Sequence, residues 1–182
     1  MTIDRECLLY SIAVILTDQP RLPMEQLARK VGVSRATLHR MFPSREAILL
    51  AAQHLAHAVA GRAIEAAQPE RGPADEALAR LVEKSMPDAA LHLLLARNRN
   101  ETGNDAPEND VRWEPYRQRL LSLFRRGQEA GLFRVDLSAQ WMLDAMAALM
   151  FAAAEAIRAG RLAPADGVAA VVGMLLDGSR RR

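Results

Sequence analysis

A short stretch of the chain concentrates side chains that can donate hydrogen bonds to phosphates and to the edges of bases. The run RATLHRMFPSR, residues 35–45, contains three arginines, one threonine and one histidine. A guanidinium can form two parallel hydrogen bonds to a phosphate or a guanine. A threonine can form a hydrogen bond to a base edge or place its methyl group against that of a thymine. Six basic residues and one acidic residue lie at positions 21–45, a local charge of +5. Such a segment suits a polyanion, because neutralising phosphates releases counterions.

Two short helices must present these side chains. Apolar residues recur at helical spacing over residues 24–31, and Gly32 follows where a chain leaving a helix needs a left-handed residue. Ser34 is the expected N-cap of a second helix, and Phe42-Pro43 ends it because the residue before a proline avoids the α region. Two helices joined by a turn of three or four residues form a helix-turn-helix.

The run LARKVGVSRATLHRMFPSREAIL resembles the N-terminal signature of the TetR (tetracycline-repressor) family of bacterial transcriptional regulators. The resemblance covers residues 5–55 and includes the GVS turn, the T-L-aromatic-x-x-F stretch and the S-basic-E start of the next helix. The sequence has His39 where the family usually has tyrosine, Arg45 where it has lysine, and Leu22-Pro23 where it often has Thr-Thr. Pro23 brings neither a hydroxyl nor an N–H, so one customary phosphate contact is not expected.

The resemblance implies a ligand-responsive regulator, most often a repressor, that binds a pseudo-palindromic operator in double-stranded DNA as a homodimer. Residues at the start of the recognition helix are expected to approach bases, and the later basic residues to hold phosphates. The expected base-contacting residues are Arg35, Ala36 and Thr37, and the expected phosphate-contacting residues are His39, Arg40 and Arg45.

The chain beyond the helix-turn-helix also has helical periodicity. Capping residues, apolar stripes and breakers predict helices over residues 44–67, 74–85, 87–97, 113–130, 139–159 and 164–177. Residues 98–110 lack apolar periodicity and predict a loop. The sequence therefore predicts an all-α fold of about nine helices, with a helix-turn-helix DNA-binding domain at 1–47 and a ligand-binding and dimerisation domain at 48–182.

Small residues line one side of the last two helices, which permits close approach of another helix. In the resembling family the corresponding helices form a four-helix dimer interface. A dimer also fits two recognition helices that enter major grooves about 34–36 Å apart. Packing within one chain is the alternative. The expected interface residues are Ala145, Ala148, Ala152, Ala156, Val168, Val172 and Leu175.

The resemblance also implies an effector pocket in the second domain. Met142, Met146 and Met150 recur at one-turn spacing, and their flexible thioethers can line an adaptable apolar cavity. Ordinary core packing is the alternative explanation of the same spacing, and the spacing favours it over a cavity. Any effector should be small and mostly apolar. The other residues expected to share a cavity are Leu55, Met86, Trp113 and Tyr116.

Several classes of protein lack support in the sequence. It contains no G-x-S-x-G, H-E-x-x-H, P-loop or G-x-G-x-x-G motif, so we expect no enzyme and no cofactor. His54 and His57 lie one turn apart without a third ligand nearby, so we expect no metal. The rival interpretation is a helical carrier or interaction protein with a vestigial helix-turn-helix, which Pro23 and the lack of a basic arm before the first helix favour.

The sequence also gives an expectation for the cellular location of the protein. No uninterrupted run of 18 apolar residues is present, and the first residues show no secretion signal, so we expect a cytoplasmic protein that makes no membrane contact. The single cysteine, Cys7, lies among apolar residues of the first helix and is expected to be buried.

Overall fold

The computed structural model describes residues 4–88, 91 and 107–179, with side chains of the last range described from residue 113. The described residues form helices and no strand, which confirms the predicted all-α class. Eight α-helices have bounds within these residues, namely α1 (Arg5–Asp18), α2 (Met24–Lys30), α3 (Arg35–Met41), α4 (Arg45–Ala67), α5 (Ala74–Ser85), α6 (Pro107–Glu129), α7 (Ala139–Arg158) and α8 (Gly167–Ser179), with 3-10 turns at Met86–Asp88 and Pro164–Asp166.

Helices α1 to α3 and the first half of α4 share one hydrophobic core, which we call the head core. Its centre is formed by side chains that are almost fully buried. They are Ile12, Leu16, Leu27, Leu38, Phe42 and Ile48. Arg5 stacks over the Phe42 ring at 5.3 Å, so the start of α1 also covers the end of α3. The helices that carry the basic residues of positions 21–45 therefore share a hydrophobic core of their own.

A second hydrophobic core, the body core, is built by the last part of α4 and by α5 to α8. Helix α4 takes part in both cores, because its residues up to Val59 belong to the head core and those from Ile64 belong to the body core. The two cores therefore divide within α4, whereas the expected domain boundary lies near its first residue. Helix α4 is one continuous helix that connects the two halves.

Three arginines, which we call the arginine clamp, hold the connection between α4 and α5. Arg80 donates to the carbonyls of Ala67 at 3.2 Å and Arg71 at 2.6 Å, and Arg126 donates to the carbonyl of Pro69 at 2.6 Å. The bond to Ala67 satisfies a carbonyl group that the end of α4 leaves without a partner, and the other two bonds hold carbonyls of the segment that follows. They therefore fix the C-terminal end of α4 against α5 and α6.

The third member of the arginine clamp is Arg119 of α6. Its guanidinium bonds the Glu65 and Glu70 carboxylates at 2.5 Å each. The hydrogen bond from Arg119 lowers the pKa of Glu70 below its ordinary value, and the same carboxylate raises the pKa of Arg119. Charge and hydrogen bonding thus reinforce the attachment of α4 to α6.

Helix α6 ends within one residue of the predicted position, and the turn that follows depends on two glycines. Gly131 adopts a φ of 70°, and Leu132 and Phe133 both donate to the carbonyl of Gly127. A Cβ at Gly127 would lie 2.2 Å from the Phe133 ring, so only glycine lets that ring fold back under the helix. Phe133 then meets Phe124 at 6.0 Å between ring centroids, inside the body core.

The structure defines the start of α1 and moves the start of α6 from its predicted position. Helix α1 begins at Arg5, where the side chain of Asp4 accepts from the N–H of Glu6. Helix α6 begins at Pro107, inside the expected loop. Proline and acidic residues favour a first helical turn, but such a turn has no apolar stripe for a periodicity argument to detect. Most of the helix expected at 87–97 lies outside the described residues.

The expected burial of Cys7 is wrong, since the structure exposes this thiol. The buried side of α1 runs through Leu8, Ile12 and Leu16. Cys7 precedes Leu8 by one residue, and one residue turns a helix by about 100°, which carries its side chain off that side. Hydrogen bonding to Asp4 is the main cause that raises the pKa of the Cys7 thiol.

Helices α4 and α7 are each long and apolar enough to cross a membrane by length and composition. Two such helices are weak support for a membrane span, since core helices of soluble proteins pass the same test. Helix α4 uses its apolar residues in both cores. Helix α7 buries a smaller share than α4 and leaves an apolar side uncovered.

Candidate nucleic-acid interface and effector region

The recognition helix α3 presents a basic outer side. Leu38 is buried in the head core, which fixes the rotation of this short helix. Arg35, Ala36, His39 and Arg40 are all exposed. The structure therefore brings the predicted residues together on one surface that faces solvent.

Arg35 and Arg40 form no ion pair with any residue in the described part of the chain. On α2, by comparison, Arg29 approaches Glu25 at 3.7 Å, and both side chains are mostly exposed. An exposed pair of this kind contributes little and is easily exchanged for another partner. The guanidinium groups on α3 therefore keep all their donors available for an anionic partner.

Thr37 has a local role that the sequence prediction did not include. Ser34 caps α3, and its hydroxyl oxygen accepts from the N–H of Thr37 at 3.0 Å. The two hydroxyl groups also lie 2.8 Å apart, within hydrogen-bond distance. Thr37 is half-buried. Its methyl group and its remaining hydrogen-bonding capacity are what it can offer to a base.

Arg45 holds the backbone of the head as well as presenting a charge. Its Nη1 donates to the carbonyl of Leu22 at 2.8 Å. Ser44 beside it caps α4 by accepting from the N–H of Ala47 at 3.2 Å. A guanidinium carries five N–H donors, so the remaining donors of Arg45 can still bind phosphate. No sequence signal could have found this contact, because it joins residues 23 positions apart.

The expected effector residues fall into two groups. Met86, Met142, Met146 and Met150 are buried together in the body core, and Trp113 and Tyr116 pack against them half-buried. The prediction that Leu55 shares a cavity with these residues is wrong, because Leu55 belongs to the head core. The spacing along α4 could not reveal this, since one apolar stripe runs through both cores and the change from one to the other comes between Val59 and Ile64.

An aromatic contact joins α6 to α4 beside this group. The ring centroids of His57 and Trp113 are 5.7 Å apart, and those of Trp113 and Tyr116 are also 5.7 Å apart. The Tyr116 ring lies directly against Gly61 of α4. His57 enters the sequence analysis only in the expectation of no metal site, and Gly61 is not among the predicted residues. A glycine inside a long helix was the available signal.

The residues expected at a dimer interface differ in exposure. Ala148 and Ala152 are exposed, whereas four others are half-buried, namely Ala145, Ala156, Val168 and Val172. The prediction that Leu175 lies at a dimer interface is wrong, because this residue is only 6% exposed and packs in the body core of its own chain.

Two large apolar residues that the prediction missed are exposed on the same two helices. Trp141 is 59% exposed on α7 and Met174 is 64% exposed on α8. Trp141 lies four residues before Ala145, so it continues the alanine stripe by one helical turn. That spacing was the signal available in the sequence.

A mixed-charge cleft of about 280 Å³ lies between α1, α4 and the end of α5. Arg62 pairs with Glu6 across it at 2.9 Å. Tyr10 lines the same cleft, and burial, followed by the Asp88 carboxylate, raises the pKa of its phenol. The residues that line the cleft include none of the four methionines expected at the effector site. Within the described ranges, no group of three or more histidine, cysteine or acidic side chains could hold a metal ion.

Comparison with known proteins gives consistent matches. A family model described as "Bacterial regulatory proteins, tetR family" matches residues 20–52. The HTH-type transcriptional regulator NfxB of Pseudomonas aeruginosa is 30% identical over 174 residues, which are 96% of this chain and 93% of NfxB. The HTH-type transcriptional repressor LfrR of Mycolicibacterium smegmatis is 37% identical over 82 residues, 45% of this chain and 43% of LfrR.

Solved structures match the fold over nearly the whole chain. The crystal structure of the TetR-like regulator LfrR from Mycobacterium smegmatis in complex with proflavine has a TM-score of 0.77 and 28% identity, and the match covers 96% of this chain and 94% of that one. The ketosteroid regulator KstR2 of Mycobacterium tuberculosis has a TM-score of 0.71 at 16% identity, with 100% and 98% covered, and supports the fold alone.

Proposed function

This chain belongs to the TetR family of bacterial transcriptional regulators, and on that premise we propose that it is a homodimeric repressor released from its operator by a small, mostly apolar effector. Its character as a DNA-binding regulator follows from the family. Repression, the dimer and the effector are the proposal. The outward display of Arg35, His39 and Arg40 on α3 supports the contact with the operator, and the exposed Trp141 of α7 is the observation that carries the dimer.

Operator recognition would combine two kinds of contact. Arg35 and Ala36 stand at the N-terminal end of α3, the part of a recognition helix that approaches base edges. Thr37 would offer its methyl group in the same region. His39, Arg40 and Arg45 would hold phosphates and fix the orientation of the helix without reading sequence.

The dimer would form through the uncovered side of α7 and α8. Trp141, Ala148, Ala152 and Met174 are exposed there. Small residues let helices approach closely, and a large exposed tryptophan is a common anchor of protein interfaces. Self-association would cover the apolar side of α7, which the described part of its own chain leaves open. Each protomer would then contribute one recognition helix to a pseudo-palindromic operator.

The effector would act within the body core. LfrR has been crystallised with proflavine, so a flat aromatic molecule is a reasonable first probe for this chain. Here Met142, Met146 and Met150 are packed in the core with Trp113 and Tyr116 beside them. Flexible methionine side chains can rearrange to admit such a molecule. The resulting shift of α4 would change the separation of the two heads.

The proposal is tested with labelled duplex DNA from the region upstream of the chain's own gene. We expect sequence-specific binding, a molecular mass of two protomers per complex, and release when proflavine is added. Arg35→Ala combined with Arg40→Ala is the matched control variant. It removes two exposed charges without touching the head core, so it should stay folded and lose specific binding. Specific binding that proflavine and related aromatic probes leave unchanged would contradict the effector part. A bound monomer would contradict the dimer part.

A further inference from the structure

Helix α4 is held at one end and carries the head at the other. The arginine clamp binds the backbone just after Ala67 and the acidic side chains beside it. The first 15 of its 23 residues, through Val59, contribute to the head core. A tilt of α4 about its clamped end would therefore move the whole head, because the head core is packed on the helix itself.

Gly61 lies inside α4, between the clamped end and the head. Glycine in a helix interior costs stability relative to alanine, so its presence in a buried position needs a reason. A Cβ at Gly61 would lie 2.8 Å from both Cζ and Oη of Tyr116, closer than real Cβ contacts come. The missing side chain therefore forms a notch in α4, and the Tyr116 ring fills it.

Tyr116 connects this notch with the region proposed for the effector. Its ring meets Trp113, and Trp113 meets His57, which lies one turn before Gly61 on α4. Tyr116 and Trp113 also pack against the body core that holds Met146. A rearrangement of the methionines would thus reach α4 through rings that already touch it.

The geometry of α4 amplifies a small displacement at the notch. With a rise of 1.5 Å per residue, Gly61 lies about 9 Å from Ala67 and Arg45 lies about 33 Å from it. A shift of about 1 Å at Gly61 would therefore move the start of α4 by roughly 3–4 Å if the helix tilts as a rod. This is similar to the spacing of about 3.4 Å between successive phosphates along the axis of DNA.

We propose that Tyr116, seated in the notch at Gly61, is the positioning residue through which α6 sets the tilt of α4 and so the affinity for the operator. The inference rests on the proposed function, because it concerns how operator binding is controlled. It identifies one contact, between Gly61 and the Tyr116 ring, through which the position of α6 would alter the affinity for the operator.

The first test is a double-mutant cycle measured by operator binding without effector. Gly61→Ala should weaken binding roughly 5- to 150-fold, the range typical of coupling between allosteric sites. In a Tyr116→Ala background the same substitution should change binding by less than about twofold, because the ring it displaces is gone. Ala58→Ser is the matched control, since it adds one atom to an exposed position of α4 and should leave binding unchanged.

The second readout does not depend on DNA. Cys7 is the single cysteine of the chain, and it is exposed on α1 of the head, so a spin label there reports the separation of the two heads in a dimer. Gly61→Ala should shift the distance distribution between the labels, and Tyr116→Ala should broaden it. Circular dichroism checks that each variant is folded.

The possible outcomes separate the two proposals. If folded Gly61→Ala binds the operator as the unaltered chain does and the label distances stay the same, the ring swings aside without moving α4 and the inference is wrong. If the loss is as large in the Tyr116→Ala background, it does not pass through this contact, and the inference is also wrong. If the unaltered chain selects no operator at all, the proposed function fails instead. The label distances would then still decide whether Tyr116 positions α4.

Discussion

Arg45 Nη1 donates to the carbonyl of Leu22 at 2.8 Å, so the first residue of α4 holds the segment that leads into α2. The contact joins the connecting helix to the helix-turn-helix across 23 residues of sequence. A change in the position of α4 is therefore transmitted to the head by a direct hydrogen bond as well as by the shared core. Arg45 is also placed to meet phosphate, which gives one side chain two roles.

Replacing Arg45 should weaken binding to every DNA sequence by a similar factor. Arg45→Ala removes one phosphate contact, so the salt dependence of the binding constant should become shallower by about one unit. Binding is measured by fluorescence anisotropy at several salt concentrations, with specific and non-specific duplexes. Arg29→Ala, on the exposed surface of α2, is the control for loss of a head charge. A slope that does not change would show that Arg45 serves only the backbone of Leu22.

Replacing Arg35 should change which sequences are preferred. A bidentate contact between arginine and guanine discriminates by about 1–3 kcal/mol, so Arg35→Ala should relax the preference at one position of each half-site. Thr37→Val, which keeps a methyl group and loses the hydroxyl, should perturb a neighbouring position less. Selection from a randomised duplex library measures both effects. If Arg35→Ala and Arg45→Ala alter specificity alike, the division between base and phosphate contacts is wrong.

Placing a charge on the uncovered side of α7 or α8 should separate the protomers. Trp141→Glu or Met174→Glu should raise the dimer dissociation constant by at least about tenfold, because hot-spot residues at interfaces contribute about 2 kcal/mol or more. Analytical ultracentrifugation measures the change. Leu50→Glu is the control, since Leu50 is also a large exposed apolar residue but lies on α4. Variants that remain as dimeric as the unaltered chain would place the interface elsewhere.

Acidification should loosen the arginine clamp. The hydrogen bond from Arg119 lowers the folded pKa of Glu70 below its ordinary value of 4.5. The contribution of this group to stability is therefore complete well above pH 4.5 and is lost as the pH falls through the folded pKa. Urea denaturation at pH values from 7 downward measures the free energy of unfolding. Glu70→Gln should lower stability near neutral pH and flatten its fall below pH 4.5, and an equal fall in both proteins would contradict the assignment.

The local parts of the fold could be predicted from sequence because local rules determine them. Ser34, Ser44 and Ser138 each cap the helix that was expected to begin beside them, and Gly32 and Gly131 adopt the left-handed conformation expected after a helix. Each of these features depends on a few neighbouring residues. The basic outer side of α3 follows from the same rules.

The remaining features depend on contacts between residues far apart in sequence. Nothing near Leu55 shows that α4 leaves one core for another just beyond it, and nothing near Leu175 shows that its side faces inward. The contact between Gly61 and Tyr116 joins two helices through a missing side chain, which a search for apolar stripes cannot detect. Periodicity identifies the apolar side of a helix but does not identify what covers it.

Binding of an operator by a dimer through α3 is tested by selecting DNA from a random duplex library with the purified chain, and with the Arg35→Ala, Arg40→Ala double variant in parallel. We expect the unaltered chain to enrich an inverted repeat whose half-sites are spaced for two recognition helices about 34–36 Å apart, and the double variant not to enrich it. Enrichment of a single half-site would contradict the dimer. Equal enrichment by both proteins would contradict the placement of the DNA interface on α3.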